Sequence, residues 1–396
     1  MPLLHSIRRC LLAAACAVVA TTAAAQPLAP PEVGARHFLL VDLTSGQTLA
    51  ERDADTPSDP ASLTKLMTAY VVFTALREGR LTLEQRVPVS QRAWDERRGT
   101  PSLMFIDTTM TPTVDELLHG MIVQSGNDAS VALAEAVAGS VESFVALMNR
   151  QAQAWGLRNT VFANVTGMSQ PGHRSSARDI ATIATRIVQD FPQFYRYYSV
   201  REFTFNNIRQ DNRNLLLRRD PSVDGMKTGF TTAAGFCLVT SAVREFPNLG
   251  PEGRSPGPRR LLSVVMGSAS LQSRADESQR LLNWGFSAFD AIKLFDGGRA
   301  ITTPEVWKGR SRTAALGVAQ DFVLSLPRGE AGGLQTAIER IDPLVAPLAA
   351  GQRVGTLRVS TRAGAPVAEV PLVVLQPVEQ AGFFGRTWDA LRLWIR

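Results

Sequence analysis

The chain has 396 residues, of which 45% are hydrophobic, 20% charged and 7% aromatic. This composition is typical of a globular protein and excludes a collagen, a coiled coil and a disordered chain, and the length allows two or three domains with substantial cores. The 42 lysines and arginines exceed the 36 acidic residues and give a formal charge of +6. No compact basic run or basic-aromatic stripe accompanies this excess, so no nucleic-acid partner is expected.

An export signal is predicted at the N-terminus. Two arginines at positions 8 and 9 precede an uninterrupted apolar run at 11–20, and alanines at 23–25 supply small residues for cleavage. The run is too short for a membrane-spanning helix. We therefore expect residues 1–25 to be a signal peptide and the mature chain to be exported. A lipoprotein would instead begin at Cys16, but the residues before it match that signal only loosely.

Cleavage leaves Cys237 as the one cysteine of the mature chain. An exported protein without an intrachain disulfide suits a bacterial periplasm or cell surface. Cys237 lies in an apolar, strand-like run at 235–240, which predicts a packed core residue and not a nucleophile.

Residues 33–288 alternate between strand and helix patterns, which predicts an α/β or α+β layered domain. The strand patterns lie at 36–42, 48–52, 235–243 and 260–266, and the helix patterns at 62–78, 128–138 and 274–289. Thr113 and Glu116 have the spacing of a capping box, which indicates one further helix start.

The remainder of the chain predicts a small all-β domain and a terminal helix. Residues 289–377 contain frequent glycine and proline and short β-prone runs at 322–326, 353–359 and 370–375. Residues 378–396 include an amphipathic helical pattern that is too short to span a membrane. We expect this helix to lie on a membrane surface, with docking on the protein body as the alternative. Its apolar face carries Phe384, Trp388, Leu391 and Ile395.

Three short motifs carry chemically useful side chains. Ser62 and Lys65 are three residues apart, so a helix places both on one face, where a desolvated lysine can remove the serine's proton. Ser125 and Asn127 pair a hydroxyl with an amide, which can relay a proton and hold a carbonyl group. Lys227 begins a lysine–threonine–glycine run that leads into a predicted strand, at whose edge a cation and a hydroxyl can receive a carboxylate.

Each motif alone also has a structural interpretation. These are a helix cap with a solvated lysine, a turn with an asparagine cap, and a hairpin turn. Lysine is scarce, however: it accounts for only 4 of the 42 basic residues. Because arginine cannot deprotonate in a protein, a retained lysine is a candidate for base chemistry.

The order of the motifs carries more information than any one of them. Serine-x-x-lysine at 62–65, serine-x-asparagine at 125–127 and lysine-threonine-glycine at 227–229 resemble the signature of serine penicillin-binding proteins and active-site-serine β-lactamases. The chain is similar to the D-alanyl-D-alanine carboxypeptidases among the low-molecular-mass penicillin-binding proteins over nearly its whole mature length. The similar segments lie at 59–68, 125–129, 176–179, 223–229 and 283–286.

This resemblance implies an α/β (α+β) transpeptidase-like catalytic domain at 33–288, a β-rich domain at 289–377 and a membrane-anchoring helix at 378–396. It implies a serine-type carboxypeptidase that removes the terminal D-alanine from peptidoglycan stem pentapeptides and is inhibited by penicillin. In that reaction Ser62 attacks the carbonyl of the penultimate D-alanine and Lys65 accepts its proton.

The resemblance also implies roles for the second and third motifs. Asn127 orients Lys65 and the substrate amide, while Ser125 and Lys227 pass a proton to the leaving D-alanine. Backbone N–H groups of Ser62 and Phe230 form the oxyanion hole. Some family members have a histidine in place of Phe230, a change that spares a backbone donor but removes any side-chain role. The substrate-binding set, which holds the terminal carboxylate together with Lys227, is Thr228, Gly229, Phe230, Arg213 and Arg274.

The expected partners are the stem peptide, β-lactam antibiotics as covalent inhibitors, and the periplasmic face of the bacterial inner membrane. No metal or organic cofactor is implied. The sequence has no His-Glu-x-x-His motif, which argues against a zinc peptidase, and His37, His119 and His173 are interpreted as structural.

Three other functions use or retain the same motifs. An endopeptidase cuts peptide cross-links with the same site. A class A β-lactamase would carry a Glu-x-x-Leu-Asn segment between the second and third motifs, and the sequence has none. A non-catalytic penicillin-binding or wall-binding protein would use the site as a carboxylate pocket and would not need an intact serine and lysine.

Overall fold

The computed structural model describes residues 29–99, 102–246 and 257–395, so the predicted signal peptide lies outside the described residues. Ten α-helices are assigned in this part of the chain: α1 Lys65–Arg77, α2 Gln91–Asp95, α3 Val114–Val123, α4 Asn127–Ala138, α5 Val141–Ala154, α6 Ala177–Asp190, α7 Pro192–Tyr195, α8 Leu216–Arg219, α9 Leu271–Ala288 and α10 Phe383–Ile395. Short 3-10 turns occur at Ala61–Thr64, Glu96–Arg98 and Arg196–Ser199.

The strands of the described residues are β1 His37–Asp42, β2 Gln47–Arg52, β3 Glu202–Phe205, β4 Ile208–Asp211, β5 Val223–Thr231, β6 Gly235–Arg244, β7 Arg259–Ser268, β8 Phe289–Phe295, β9 Val306–Trp307, β10 Leu316–Gly317, β11 Phe322–Pro327, β12 Gln335–Arg340, β13 Leu344–Val345, β14 Arg353–Ser360 and β15 Pro366–Val374.

A five-stranded antiparallel sheet, in the order β2-β1-β7-β6-β5, separates two apolar cores. Successive side chains of a strand point to opposite faces. Accordingly Leu39 belongs to the larger core, formed with α1, α3, α4 and α6, whereas Phe38 and Leu40 belong to the core formed with α9. The sheet is therefore covered by helices on both faces, and β5 is its free edge beside the first motif.

The larger core fixes the helices that carry the first two motifs. Ten of the thirteen residues of α1 are buried, so this helix runs through the core and not along the surface. Helix α3 starts with the expected capping box: the Thr113 hydroxyl accepts from the Glu116 N–H, and the Glu116 carboxylate accepts from the Thr113 N–H. Each exchange satisfies a backbone donor that has no partner within the helix.

A second, β-rich unit follows α9. Its main sheet has the order β10-β15-β14-β12, and β8 pairs with β11 beside it. Two small apolar clusters fill this unit, one around Leu316 and Leu372 and the other around Ile292 and Leu324.

A buried polar network joins the two units. Arg259 Nε donates to Asp42 Oδ2 at 2.7 Å, and both side chains are completely buried. Ser325, on β11, donates its hydroxyl to the same carboxylate, and its backbone N–H donates to Gln47 Oε1 at 2.6 Å. Because unpairing a buried charge is costly, these contacts hold β11 against the end of β1.

The C-terminal helix α10 has one docked face and one exposed face. The Asp389 carboxylate accepts from the Lys308 N–H at 2.7 Å, and the Arg392 guanidinium lies 5.2 Å from the centre of the Trp307 ring. The residues that point away from the protein are apolar and more than half exposed: Phe383, Phe384, Trp388, Leu391 and Trp394. Within the described residues no single helix is long and apolar enough to cross a membrane; α4 and α5 meet the criterion only as a pair bent by 83°.

Two local expectations were wrong in detail. The first motif does not begin an α-helix, because residues Ala61–Thr64 form a 3-10 turn and α1 starts at Lys65. The third motif does not lead into a strand but lies inside one, since β5 spans Val223–Thr231. In both cases contacts with neighbouring elements, which a local pattern does not contain, determine the backbone conformation.

Candidate active site

The three motifs meet in a single cleft of about 650 Å³ between the free edge of β5 and the helical layer. The first motif enters it on the 3-10 turn, the second on the loop between α3 and α4, and the third on β5. We call this the cleft; its lining residues are Ser62, Gly99, Ser102, Ser125, Met168, Ser169, Arg213, Thr228, Gly229, Phe230, Thr231, Thr232, Ala233, Phe236, Leu271 and Arg274.

Lys65 lies beneath the cleft floor with three oxygen atoms around its ammonium nitrogen. Nζ is 3.2 Å from Ser62 Oγ, 2.7 Å from Asn127 Oδ1 and 2.5 Å from the carbonyl oxygen of Thr166. The last two are carbonyl oxygens and can only accept hydrogen bonds. A neutral amine has two N–H bonds and one lone pair, so when both N–H bonds serve these carbonyls the lone pair is left for the Ser62 hydroxyl.

The lowered pKa of Lys65 is consistent with a neutral amine in this arrangement. Burial, which disfavours the charged form, lowers its pKa to about 7. The nearby carboxylates of Glu96 and Asp128 act in the opposite direction, and the Arg213 guanidinium adds to the lowering. A substantial fraction of Lys65 is therefore neutral at neutral pH, which a lysine in water is not.

A second lysine–serine pair faces the cleft. Lys227 Nζ donates to Ser125 Oγ at 2.8 Å and to the carbonyl oxygen of Thr228 at 3.0 Å. Burial lowers the Lys227 pKa, and the neighbouring cations of Lys65, Arg213 and Arg274 lower it further. Ser125 has a φ of 68°, a left-handed conformation that is costly for a serine and that occurs preferentially at functional sites.

Glycine 229 lets β5 approach the backbone of the first motif. A Cβ at this position would lie 3.1 Å from Ala61 Cβ and 3.2 Å from Ser62 N. Close approach of two backbones is a typical reason for glycine in a strand. Next to it, the Phe230 side chain is 53% exposed, and its ring centre lies 4.3 Å from that of Phe236 on β6.

Two arginines supply positive charge at the same end of the cleft. Arg274, on α9, donates to the Gly229 carbonyl at 3.1 Å and to the Arg213 carbonyl at 3.4 Å. Arg213 donates to Ser102 Oγ at 2.9 Å. Burial lowers the Arg274 pKa to about 10, so the guanidinium remains charged at neutral pH. Both guanidinium groups border the cleft beside Thr228.

The structure thus brings every predicted site residue to one place, and it adds several that sequence analysis missed. Thr166 contributes only its carbonyl oxygen, which no side-chain motif could reveal. Gly167 has a φ of 86°, and a Cβ there would lie 1.9 Å from the Ala61 carbonyl oxygen. Asp128 accepts hydrogen bonds from backbone N–H groups of Met104, Phe105, Ile106 and Ala129 and so fixes the start of α4.

His173 forms a hydrogen bond with Thr64, which lies within the first motif. Its Nδ1 accepts from the Ala163 N–H at 3.0 Å, so in the neutral ring Nε2 carries the proton and donates to Thr64 Oγ1 at 2.8 Å. Burial lowers its pKa to about 4.

Cys237 is also fully buried, and burial raises the pKa of its thiol to about 11, so it is a core residue as expected.

Comparisons with known proteins agree with this geometry. The family model described as "D-alanyl-D-alanine carboxypeptidase" matches residues 21–268, and that of the "Penicillin-binding protein 5, C-terminal domain" matches residues 289–380. The chain is 42% identical to D-alanyl-D-alanine carboxypeptidase DacC of Escherichia coli over 93% of this chain and 90% of that protein. It is 40% identical to DacA of Haemophilus influenzae over 93% of this chain and 91% of that protein.

Solved structures of penicillin-binding proteins have the same fold as this chain. Penicillin-binding protein 5 from Haemophilus influenzae superimposes with a TM-score of 0.82 at 39% identity and covers 89% of this chain and 100% of its own. Penicillin-binding protein 6B from Escherichia coli gives 0.71 at 36% identity, with 88% and 98% covered. The resemblance, the fold class and the activity class expected from sequence are confirmed. The chain belongs to the D-alanyl-D-alanine carboxypeptidase family, the serine peptidases among the penicillin-binding proteins.

Proposed function

We propose that this chain removes the terminal D-alanine from peptidoglycan stem pentapeptides through an acyl-enzyme on Ser62. The observation that carries the proposal is the environment of Lys65: two carbonyl acceptors occupy its N–H bonds and the third neighbour is Ser62 Oγ at 3.2 Å. A buried lysine with a pKa of about 7 is able to act as the base that a serine nucleophile requires.

In the acylation step Ser62 Oγ bonds to the carbonyl carbon of the penultimate D-alanine while its proton moves to Lys65 Nζ. The carbonyl oxygen becomes an oxyanion, which the backbone N–H groups of Ser62 and Phe230 stabilise. The C–N bond then breaks, and the leaving D-alanine amine takes the proton that Lys65 accepted, relayed through Ser125 and Lys227, which lie 2.8 Å apart. Lys65 is then neutral again.

In the deacylation step a water molecule attacks the ester carbon. Lys65 takes the water proton and returns it to Ser62 Oγ as the C–O bond breaks, so that both the Ser62 hydroxyl and the neutral Lys65 are restored. The balance is one water consumed, one D-alanine and one tetrapeptide released. Asn127 holds Lys65 in place through its Oδ1, and one of the two hydrogens on its Nδ2 serves the substrate amide.

The cationic end of the cleft suits the terminal carboxylate. Thr228, Arg213 and Arg274 line this region, and the buried Lys227 reaches it through its hydrogen bond to Ser125. A carboxylate accepts strong hydrogen bonds from guanidinium, ammonium and hydroxyl groups. The same end accommodates the carboxylate of a β-lactam, whose strained amide is opened by the same attack of Ser62. β-Lactams are therefore covalent inhibitors in this proposal.

We assign residues 1–25 to a signal peptide, 33–288 to the catalytic domain, 289–377 to the β-rich domain and 378–396 to a helix that anchors the protein at the periplasmic face of the inner membrane. The two faces of α10 support the anchor. Asp389 and Arg392 hold the helix on the β-rich domain, while its exposed face presents five large apolar side chains, an arrangement suited to a membrane interface.

The experiment that tests the proposed function compares two substrates. The mature protein is incubated with a pentapeptide ending in D-alanyl-D-alanine and with a cross-linked peptide dimer, alongside Ser62→Ala and the control Ser287→Ala, an exposed serine on α9. We expect D-alanine and tetrapeptide from the pentapeptide with wild type and control, and none with Ser62→Ala. Preferential cleavage of the dimer makes the chain an endopeptidase, and penicillin binding without turnover of either peptide makes it a binding protein; both outcomes overturn the proposal.

A further inference from the structure

A carboxylate that the proposed mechanism does not use lies beside the Asn127–Lys65 pair. Glu96 begins the 3-10 turn Glu96–Arg98, between α2 and the rim of the cleft at Gly99. This turn packs against α4, whose first residue is Asn127. The Glu96 side chain is half-buried; burial raises its pKa, and the nearby Lys65 ammonium group and Asn127 amide act in the opposite direction.

In the part of the chain that the structure describes, only the oxygen end of the Asn127 amide has a hydrogen-bond partner. Its Oδ1 accepts from Lys65 Nζ at 2.7 Å, whereas its Nδ2 is buried and has no hydrogen-bond partner among the described residues. A buried N–H₂ group favours a nearby acceptor, and the contact of the 3-10 turn with α4 brings the Glu96 carboxyl group close to this amide. When Nδ2 is held by an acceptor, the opposite end of the amide stays directed at Lys65.

The other charged groups near Asn127 and Lys65 have interactions of their own. Asp128, on α4, is saturated by four backbone N–H groups. Arg92, on α2, is paired with Glu142 at 2.7 Å. The Arg213 guanidinium lowers the Lys65 pKa, and the ammonium groups of Lys65 and Lys227 disfavour each other's charge. Glu96 and Asp128 both raise the Lys65 pKa, and the effect of Glu96 is the larger. Unlike Asp128, Glu96 is not surrounded by backbone N–H donors of the residues that the structure describes.

We propose that Glu96 is a positioning residue for the acylation step: its carboxylate holds the Asn127 amide against Lys65 and places a negative charge near the base. This inference rests on the proposed function, since it concerns the base of that reaction. Glu96 makes no covalent bond and takes no proton from the substrate. It acts through Asn127 and through its field at Lys65.

The sign of the effect follows from the charge. A carboxylate favours the protonated ammonium form of Lys65 and so raises its pKa against the effect of burial. Replacing Glu96 by glutamine removes that charge and keeps the size and an amide acceptor. Lys65 then loses its proton at lower pH, and acylation, which needs the neutral amine, extends to lower pH. Burial raises the Glu96 pKa itself, so the effect is present only where Glu96 is ionised.

The test is the pH profile of acylation by a fluorescent penicillin, measured from pH 5 to 9 on the full mature chain. We expect the acid limb of Glu96→Gln to lie about one pH unit below that of wild type, the shift that one neighbouring charge produces. Glu96→Asp, which keeps the charge, should restore the limb toward wild type. The matched control is Asp95→Asn, the adjacent carboxylate on α2, whose charge pairs with Arg98.

Two results overturn the inference: an acid limb that stays in place in Glu96→Gln, or one that moves equally in Asp95→Asn. The unfolding temperature of each variant, measured at the same pH, separates a folding defect from the effect on the base, because a loss of folded protein lowers the amplitude and leaves the limb in place. Failure of the proposed function is distinguishable, because it is measured from the peptide products, whereas this inference is measured from the pH profile of penicillin labelling, which an endopeptidase or a penicillin-binding protein also shows.

Discussion

Lys65 Nζ lies 3.2 Å from Ser62 Oγ, and its other two hydrogen-bonding neighbours are carbonyl oxygens. This relationship makes Lys65 a base and not merely a cation. Two of the three positions of a neutral amine are occupied by groups that can only accept, and the third faces the nucleophile. Burial supplies the remaining condition, because it lowers the pKa of the lysine to about 7.

Replacing Lys65 by arginine therefore keeps the positive charge and abolishes the base. We expect Lys65→Arg to reduce penicillin acylation by about 10²-fold or more, the usual magnitude for loss of a general base. Lys308→Arg, far from the cleft in the β-rich unit, is the matched control and should label normally. Labelling of Lys65→Arg at the wild-type rate would mean that another group activates Ser62.

Gly167 tests how tightly the first motif is packed. Alanine at this position meets the Ala61 carbonyl oxygen at 1.9 Å and must also adopt a φ of 86°. We expect Gly167→Ala to lose more than about 2 kcal/mol of unfolding free energy and to acylate more slowly, because Ala61 precedes the nucleophile. The control is Gly172→Ala, which has a φ of 81° but nothing within 4 Å of its Cβ. It should lose about 1 kcal/mol and keep its acylation rate; equal effects of the two changes would contradict this account.

His173 predicts a pH dependence of stability. Its pKa falls from 6.5 in the unfolded chain to about 4 in the folded protein because the ring is buried in its neutral form. Between these values the unfolded chain binds a proton that the folded protein does not, so stability falls as pH decreases. From pH 7 to pH 5 this contributes a loss of up to about 2 kcal/mol. His173→Gln, which cannot titrate, should show a correspondingly smaller loss in chemical denaturation, and parallel losses in the two proteins would rule out His173 as the source.

The exposed face of α10 predicts attachment to membranes. Deletion of residues 381–396 should release the protein from sedimented membranes and leave its activity on a soluble pentapeptide unchanged, because the helix lies outside the cleft. Exchanging both Phe384 and Trp388 for glutamate should have the same effect while Asp389 and Arg392 stay in place to dock the helix. Unchanged recovery with the membranes would show that α10 is not the anchor.

Much of the site could be predicted from the sequence because its chemistry resides in side chains. Ser62, Lys65, Ser125, Asn127 and Lys227 are informative by type, order and spacing. The sheet and helices were also predictable where one face is apolar, as in β1 and α9. The conformation of the first motif was not, since a 3-10 turn at Ala61–Thr64 depends on the close approach of Gly167 and Gly229 from distant parts of the chain.

What the sequence missed acts through the backbone or through distant contacts. Thr166 uses its carbonyl oxygen, which every residue has. In the sequence Asp128 is simply an acidic residue in a predicted helix. In the structure its carboxylate accepts hydrogen bonds from the backbone N–H groups of residues 104–106 and so fixes the neighbouring Asn127. Glu96 belongs to no motif, and only the packing of its turn against α4 brings it to Lys65.

The most direct test of the central claim is the site of the penicillin adduct. The mature protein is treated with benzylpenicillin, denatured, digested and analysed by mass spectrometry, in parallel with Ser62→Ala. The account predicts one added penicillin per chain, on the peptide that contains Ser62, and no adduct in the variant. An adduct on another residue, or none on the wild-type protein, would contradict the assignment of Ser62 as the nucleophile.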